Sequence, residues 1–141
     1  RRFGENGQVK YRLTAPYLVH YPDDDTSEVK SPTLISYRPD GATVTVTGEQ
    51  AKVTAKGETI FLWDNVSVTR AATPGRLEMV ARMPDLTAQP DAGIAFTGSP
   101  VEITQGQSWV KGVGIHLDNN NSTLVLQSQV RGQYIRPRAA P

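Results

Sequence analysis

Val9-Lys10-Tyr11-Arg12-Leu13-Thr14-Ala15-Pro16-Tyr17-Leu18-Val19-His20-Tyr21 alternates apolar with mostly polar residues. Side chains change face at every residue of an extended chain, so Val9, Tyr11, Leu13, Ala15, Tyr17, Val19 and Tyr21 fall on one side, with Lys10, Arg12, Thr14 and His20 opposite. This is the pattern of a half-buried β-strand. Working outward, amphipathic or β-branched runs recur at 29–37, 43–55, 59–70, 76–87, 94–104, 109–117 and 123–135, with no helical stretch between them. Turn signals separate them: Pro22 to Asp25, Pro39-Asp40-Gly41, Lys56-Gly57-Glu58, Thr73-Pro74-Gly75, Gln89-Pro90-Asp91, Gln105-Gly106-Gln107 and Asp118 to Asn121. Connections this short favour antiparallel neighbours and predict a meander in an all-β, sandwich-like domain. Pro16, Pro32, Pro84 and Pro100 mark bends, strand starts or edges, where a missing N–H is tolerated. Several runs are long enough to bend or to break in two.

The 141 residues fit one domain able to bury a core without staples, and the chain has no cysteine. A net charge of +1, with 21% charged residues, lacks the basic excess that binding a nucleic-acid backbone requires. Arg1-Arg2 and Arg131, Arg136 and Arg138 gather charge at the two ends, and about 1–6 and 136–141 read as flexible termini. No apolar run approaches the roughly 20 residues that span a bilayer. The start at Arg1-Arg2-Phe3, with no signal peptide, leaves room for an anchor upstream.

Bond-making groups are scarce. His20 and His116 stand apart, there is no thiol, and no Gly-x-Ser-x-Gly elbow supplies a nucleophile. Asp23-Asp24-Asp25 with Glu28 lacks the alternating spacing of a calcium loop and reads as a solvated turn. An enzyme, a metal site and a cofactor are all unsupported. What remains is the apolar face. Val44, Val46, Val53, Ile60, Leu62, Val66, Val68, Leu77, Met79, Met83, Phe96, Val101, Ile103, Ile115 and Leu117, continued by Leu124, Leu126 and Val130, line the inner side of the sheets. A dry core and an adaptable acyl-chain groove need the same alternation.

A weak internal repeat links Gly48-Glu-Gln-Ala51-Lys-Val53 and Ile60-Phe-Leu62-Trp-Asp-Asn-Val66-Ser-Val68 to Gly112-Val-Gly114-Ile-His-Leu117 and Leu124-Val-Leu126-Gln-Ser-Gln-Val130. Gly98-Ser99-Pro100-Val101-Glu102-Ile103-Thr104, then Val110 to Asp118, then Leu124 to Tyr134 with its Val130-Arg131-Gly132-Gln133-Tyr134 ending, resemble the closing strands of the LptC family. Gly7-Gln8-Val9-Lys10-Tyr11-Arg12-Leu13-Thr14-Ala15, Tyr21 and Ser31-Pro32-Thr33-Leu34 resemble its opening. Gly48, Ala51 and Val66 to Arg70 are similar to the organic-solvent-tolerance repeat shared with LptA.

The resemblance implies a twisted, open antiparallel β-jellyroll, two sheets in a V. It also implies a periplasmic chain held at the inner membrane by an N-terminal helix that precedes the residues given. Family members take lipopolysaccharide from an inner-membrane ABC transporter and pass it to LptA, with acyl chains held in the apolar groove. The N-terminal edge, about 9–19 with Val9, Tyr11 and Leu13, is expected to pair with the LptF/LptG periplasmic domains. The C-terminal edge, about 123–134 with Leu124, Leu126, Val130 and Tyr134, is expected to meet LptA. Unpaired strand edges invite such β-augmentation. Gly106 reads as a turn glycine at positive φ whose replacement misplaces that second edge. The competing expectations are a soluble LptA-like shuttle and a sugar-binding sandwich using Trp63, Trp109, Tyr37 and Tyr134.

Overall fold

Ala15 and Pro16 break the opening ribbon in two, and two further corners do the same to the chain that follows. The computed structural model describes residues 2–3, 10–37, 43–54, 58–121 and 123–135, with backbone alone for Arg2, Phe3 and Lys10. Val9 and most of the terminal residues lie outside that set. The described strands are β1 (Arg2–Phe3), β2 (Lys10–Thr14), β3 (Tyr17–Tyr21), β4 (Thr26–Lys30), β5 (Thr33–Tyr37), β6 (Thr43–Thr47) and β7 (Gln50–Val53). Five long ones follow: β8 (Ile60–Arg70), β9 (Met79–Gln89), β10 (Ile94–Gln105), β11 (Ser108–Asp118) and β12 (Thr123–Gln133). A 3₁₀ turn at Pro90–Ala92 joins β9 to β10.

All described pairings are antiparallel, and β8 is the branch point. Its first half, Ile60–Trp63, pairs with β7, which continues to β4 and β3; its second half, Val66–Arg70, pairs with β6, which continues to β5, β2 and β1. The other edge of β8 pairs with β9, and the order runs on through β10, β11 and β12. A meander therefore holds from β8 onward. Before β8 it fails, because each corner sends the chain into the other half of the sheet. The corners are Ala15–Pro16, Ser31–Pro32 and Gly48–Glu49, with Ser31 at φ 51. At the first two, proline supplies no ladder N–H and restricts the residue before it, so a strand is tipped out of its ladder there.

These corners line up with bulges in the long strands to form a crease. β8 crosses it through Asp64 and Asn65, at φ 66 and 53, a left-handed conformation that Asp and Asn tolerate better than other side chains. Ser31 N–H donates to the Glu49 carbonyl (2.8 Å), Glu49 N–H donates to the Asp64 carbonyl (2.9 Å), and the Asn65 amide donates to the Glu49 carboxylate. Further along, β10 slips register on β11 between Thr97 and Pro100, and β11 slips on β12 between Lys111 and Val113. The Asp85 carboxylate accepts from the hydroxyls of Thr97 and Ser99, each at 2.6 Å, and pins the first of these slips.

Folding at the crease brings two apolar rows face to face. Leu34, Val46, Val68, Ala81 and Ile103 stand in cross-strand register on one half; Val29, Ala51, Leu62 and Leu86 do so on the other, and all are buried. This is an open β-jellyroll: one continuous sheet, doubled over, whose rim strands have no further neighbour among the described residues.

Candidate functional site

Between the halves lies a cavity of about 60 Å³, walled by Leu34, Val44, Val46 and Val68 on one side and Ala88, Ala95 and Leu117 on the other. Val44, Val46, Val68 and Leu117 were expected inside. Ala88 and Ala95 were not singled out, although they make the space: small side chains at inward positions leave a gap where larger ones meet. Ile60, Leu62, Val66, Met79, Met83, Val101, Ile103 and Ile115 are buried in the packed core, and Val53 packs against it.

Three expected positions stand elsewhere. Val130, on the rim strand β12, is 55% exposed. Leu77 falls in the loop between β8 and β9, where Gly75 at φ 83 turns the chain, and it is 42% exposed. Phe96 alternates with Ala95 and the buried Thr97, so it lies on the outer face, its ring stacked on His116 at 6.3 Å. Across that face Phe61, Thr87, Phe96, His116 and Val125 share one row.

The last inward row of the first half, Tyr11, Ser36, Val44, Arg70 and Met79, stands at the mouth of the V, and Ser36 and Val44 of this row line the cavity. Tyr11 is buried, and its hydroxyl donates to the Asp91 carboxylate (3.0 Å) on the 3₁₀ turn of the other half. This bond ties the free side of the V, opposite the crease.

A larger concavity, about 1210 Å³, follows the outside of the crease. Ser67, Arg82, Glu102, Lys111 and Arg131 cross its wall in one row, and Lys111 pairs with Glu102 at 3.5 Å. Charges of both signs make this trough a poor shelter for hydrocarbon, so size alone does not locate an apolar site.

At the rim, β12 has β11 on one side and no described neighbour on the other. Leu124 and Leu126 pack against the core, while Val125, Val130 and Tyr134 are 56%, 55% and 76% exposed. The N-terminal side has two rims, because the ribbon is broken. β2, with Leu13 partly buried, is flanked by β5 and β1; β3 pairs with β4 alone and exposes Tyr17, Leu18 and Tyr21. The Tyr21 hydroxyl donates to Glu28 (3.3 Å), and that carboxylate, with a little burial, holds the phenol above its ordinary range. On the same hairpin His20 lies 3.1 Å from Asp25 and 3.2 Å from the Ser27 hydroxyl, all at the surface, where they tie β3 to β4.

Gly106 takes φ 59 in the turn between β10 and β11, and an added Cβ would lie 2.9 Å from Leu77 Cδ1. Gly106→Arg is therefore expected to disturb that turn and, through β11, the seating of β12. Unchanged hydrogen-exchange protection of β12 in a well-folded variant would remove the link.

The described residues form a doubled sheet with an apolar seam, and no cluster of His, Cys, Asp or Glu able to hold a metal ion stands among them. The fold matches that of LptH from Pseudomonas aeruginosa, described as the LptA-homologous periplasmic component of the conserved lipopolysaccharide transport device. The TM-score is 0.65 at 10% identity, over 90% of this chain and 95% of that one. The family described as "Lipopolysaccharide-assembly, LptC-related" matches residues 1–135, and the chain belongs to this LptC family. It is thus a non-catalytic, periplasmic component of lipopolysaccharide transport, working in an LptA/LptC-type assembly. No curated protein matches the sequence.

Proposed function

We propose that the seam between the sheet halves holds the acyl chains of lipopolysaccharide. In this reading the chain relays its cargo from the LptF/LptG periplasmic domains at its N-terminal rims to LptA at β12, in a protein anchored to the inner membrane. The observation that carries this reading is the apolar cavity walled by Val44 and Val68 on one half and Ala95 and Leu117 on the other. Each methylene covered there is worth about 0.8 kcal/mol. At about 60 Å³ the space is well below the roughly 150 Å³ that admits a benzene ring. Cargo therefore enters by parting the halves about the crease, against the Tyr11–Asp91 bond. Rims that, among the described residues, have no strand on their outer side let neighbouring jellyrolls add strand to strand and join their seams.

Photocrosslinking to purified lipopolysaccharide tests this. Probes at Val44 and at Leu117 are expected to crosslink, and a probe at Lys111 on the outer trough is not. No crosslink from the inner pair in folded protein, or equal yield from Lys111, would identify the seam as a closed core.

A further inference from the structure

Arg70 is the one charged residue in the mouth row, and an apolar seam has no use for it. It ends β8, directly opposite Val44 on β6 and Met79 on β9, and its alternation with Val66 and Val68 places it on the inner face. Its Nε is fully buried and has no hydrogen-bond partner. Among the described residues no carboxylate stands within ion-pair distance of its guanidinium. Arg70 as a whole is half-buried, but an unmade hydrogen bond at a covered atom such as its Nε is costly. Burial pushes the Arg70 guanidinium below its ordinary range, and the neighbouring charge of Arg76 adds to the effect. An arriving anion would offset both penalties and, once the halves part, take up the idle N–H. Val44, the direct cross-strand neighbour of Arg70, is itself part of the cavity wall. Cation and apolar space are therefore adjacent.

We propose that Arg70 receives the anionic headgroup of an amphiphile whose hydrocarbon chain enters the seam. This rests on the lipid-holding reading of the interior and adds the headgroup chemistry to it. The group is a phosphate or similar oxyanion, which the planar fork of a guanidinium matches with two parallel donors. The site thereby orients its cargo, head at the mouth and chain between the halves.

Calorimetric titration of the full chain with dodecyl phosphate, dodecyl maltoside and inorganic phosphate, each below any micelle concentration, tests it. The two amphiphiles share a tail and differ in head charge. Dodecyl phosphate is expected to bind at least tenfold more tightly than the maltoside, and inorganic phosphate far more weakly than either. Arg70→Gln is expected to erase the tenfold preference and leave maltoside binding unchanged. Arg76→Gln, at an exposed position that leaves the fold undisturbed, is expected to reduce the preference in part. Equal affinity for the two amphiphiles, or a preference that survives both substitutions, overturns the headgroup assignment while the seam still holds chains. Inorganic phosphate binding as tightly as dodecyl phosphate overturns it in favour of a free anion. If neither amphiphile binds, the lipid-holding seam falls, and this assignment with it.

Discussion

Leu62→Ala is expected to lower the free energy of unfolding by about 2–5 kcal/mol, a large part of the roughly 5–15 kcal/mol that holds a domain of this kind together. Leu62 is 1% exposed on β8, the strand that carries both arms of the sheet, between Ala51 on β7 and Leu86 on β9. Truncation removes three carbons from a site whose neighbours cannot swell to fill it. Ala51 is already small, and Gly48, which approaches the Leu62 side chain from the corner, has no side chain at all. The cavity term therefore adds to the lost transfer energy instead of relaxing away. Phe61, the adjacent residue, points outward and is 42% exposed, so Phe61→Ala is expected to cost much less. Urea unfolding of the pair checks this, with an unchanged slope confirming that only stability moved. Equal losses from the two variants would mean that the inward and outward faces of β8 are misassigned.

The two-residue period located nearly every strand because burial on one face leaves a direct imprint on alternation. The corners left a fainter one. In β9 the buried positions run Met79, Ala81, Met83 and then Leu86 and Ala88, and this single break in parity marks where the strand crosses the crease at Pro84-Asp85. In β8 the crossing adds an even number of residues, from Leu62 to Val66, so parity is kept and nothing in the pattern announces it. Only the Asp64-Asn65 pair, suited to left-handed backbone, was there to be read. Phe96 was placed inward on hydrophobicity, whereas its small or polar neighbours Ala95 and Thr97 face in. Arg70 misleads in the opposite way: charge reads as surface, although the parity of Val66 and Val68 carries straight on to it. Val130 stands in the repeat where Val66 does, yet one is 55% exposed and the other 1%, because β12 lies at the rim and β8 at the centre. Periodicity reports which face a residue occupies within its strand, and pairing order decides whether that face is covered.

Gly132→Val is expected to weaken capture of an LptA-type partner at least tenfold while leaving the core intact, on the proposal that β12 is the docking rim. Gly132 stands opposite Val110 in the β11–β12 ladder. A Cβ built on it would lie 2.6 Å from the Trp109 carbonyl oxygen and 3.0 Å from Val110 Cα, and these backbone atoms have no rotamer by which to withdraw. β12 must then leave β11 over its last rungs, Arg131 on Lys111, Gly132 on Val110 and Gln133 on Trp109. The first rungs stay closed, since Leu124 and Leu126 pack against the buried core on the far side of the register slip. An incoming strand would find only part of its template straight, and tenfold corresponds to about 1.4 kcal/mol, within what one or two lost ladder hydrogen bonds supply. Gly98→Ala is the control, because its added methyl group meets nothing within 4 Å. Affinity for immobilised LptA and the thermal midpoint, measured on both variants, separate docking from stability. Full affinity in Gly132→Val with an unchanged midpoint would move the docking rim from β12 to the exposed edge of β3, where Tyr17, Leu18 and Tyr21 wait uncovered.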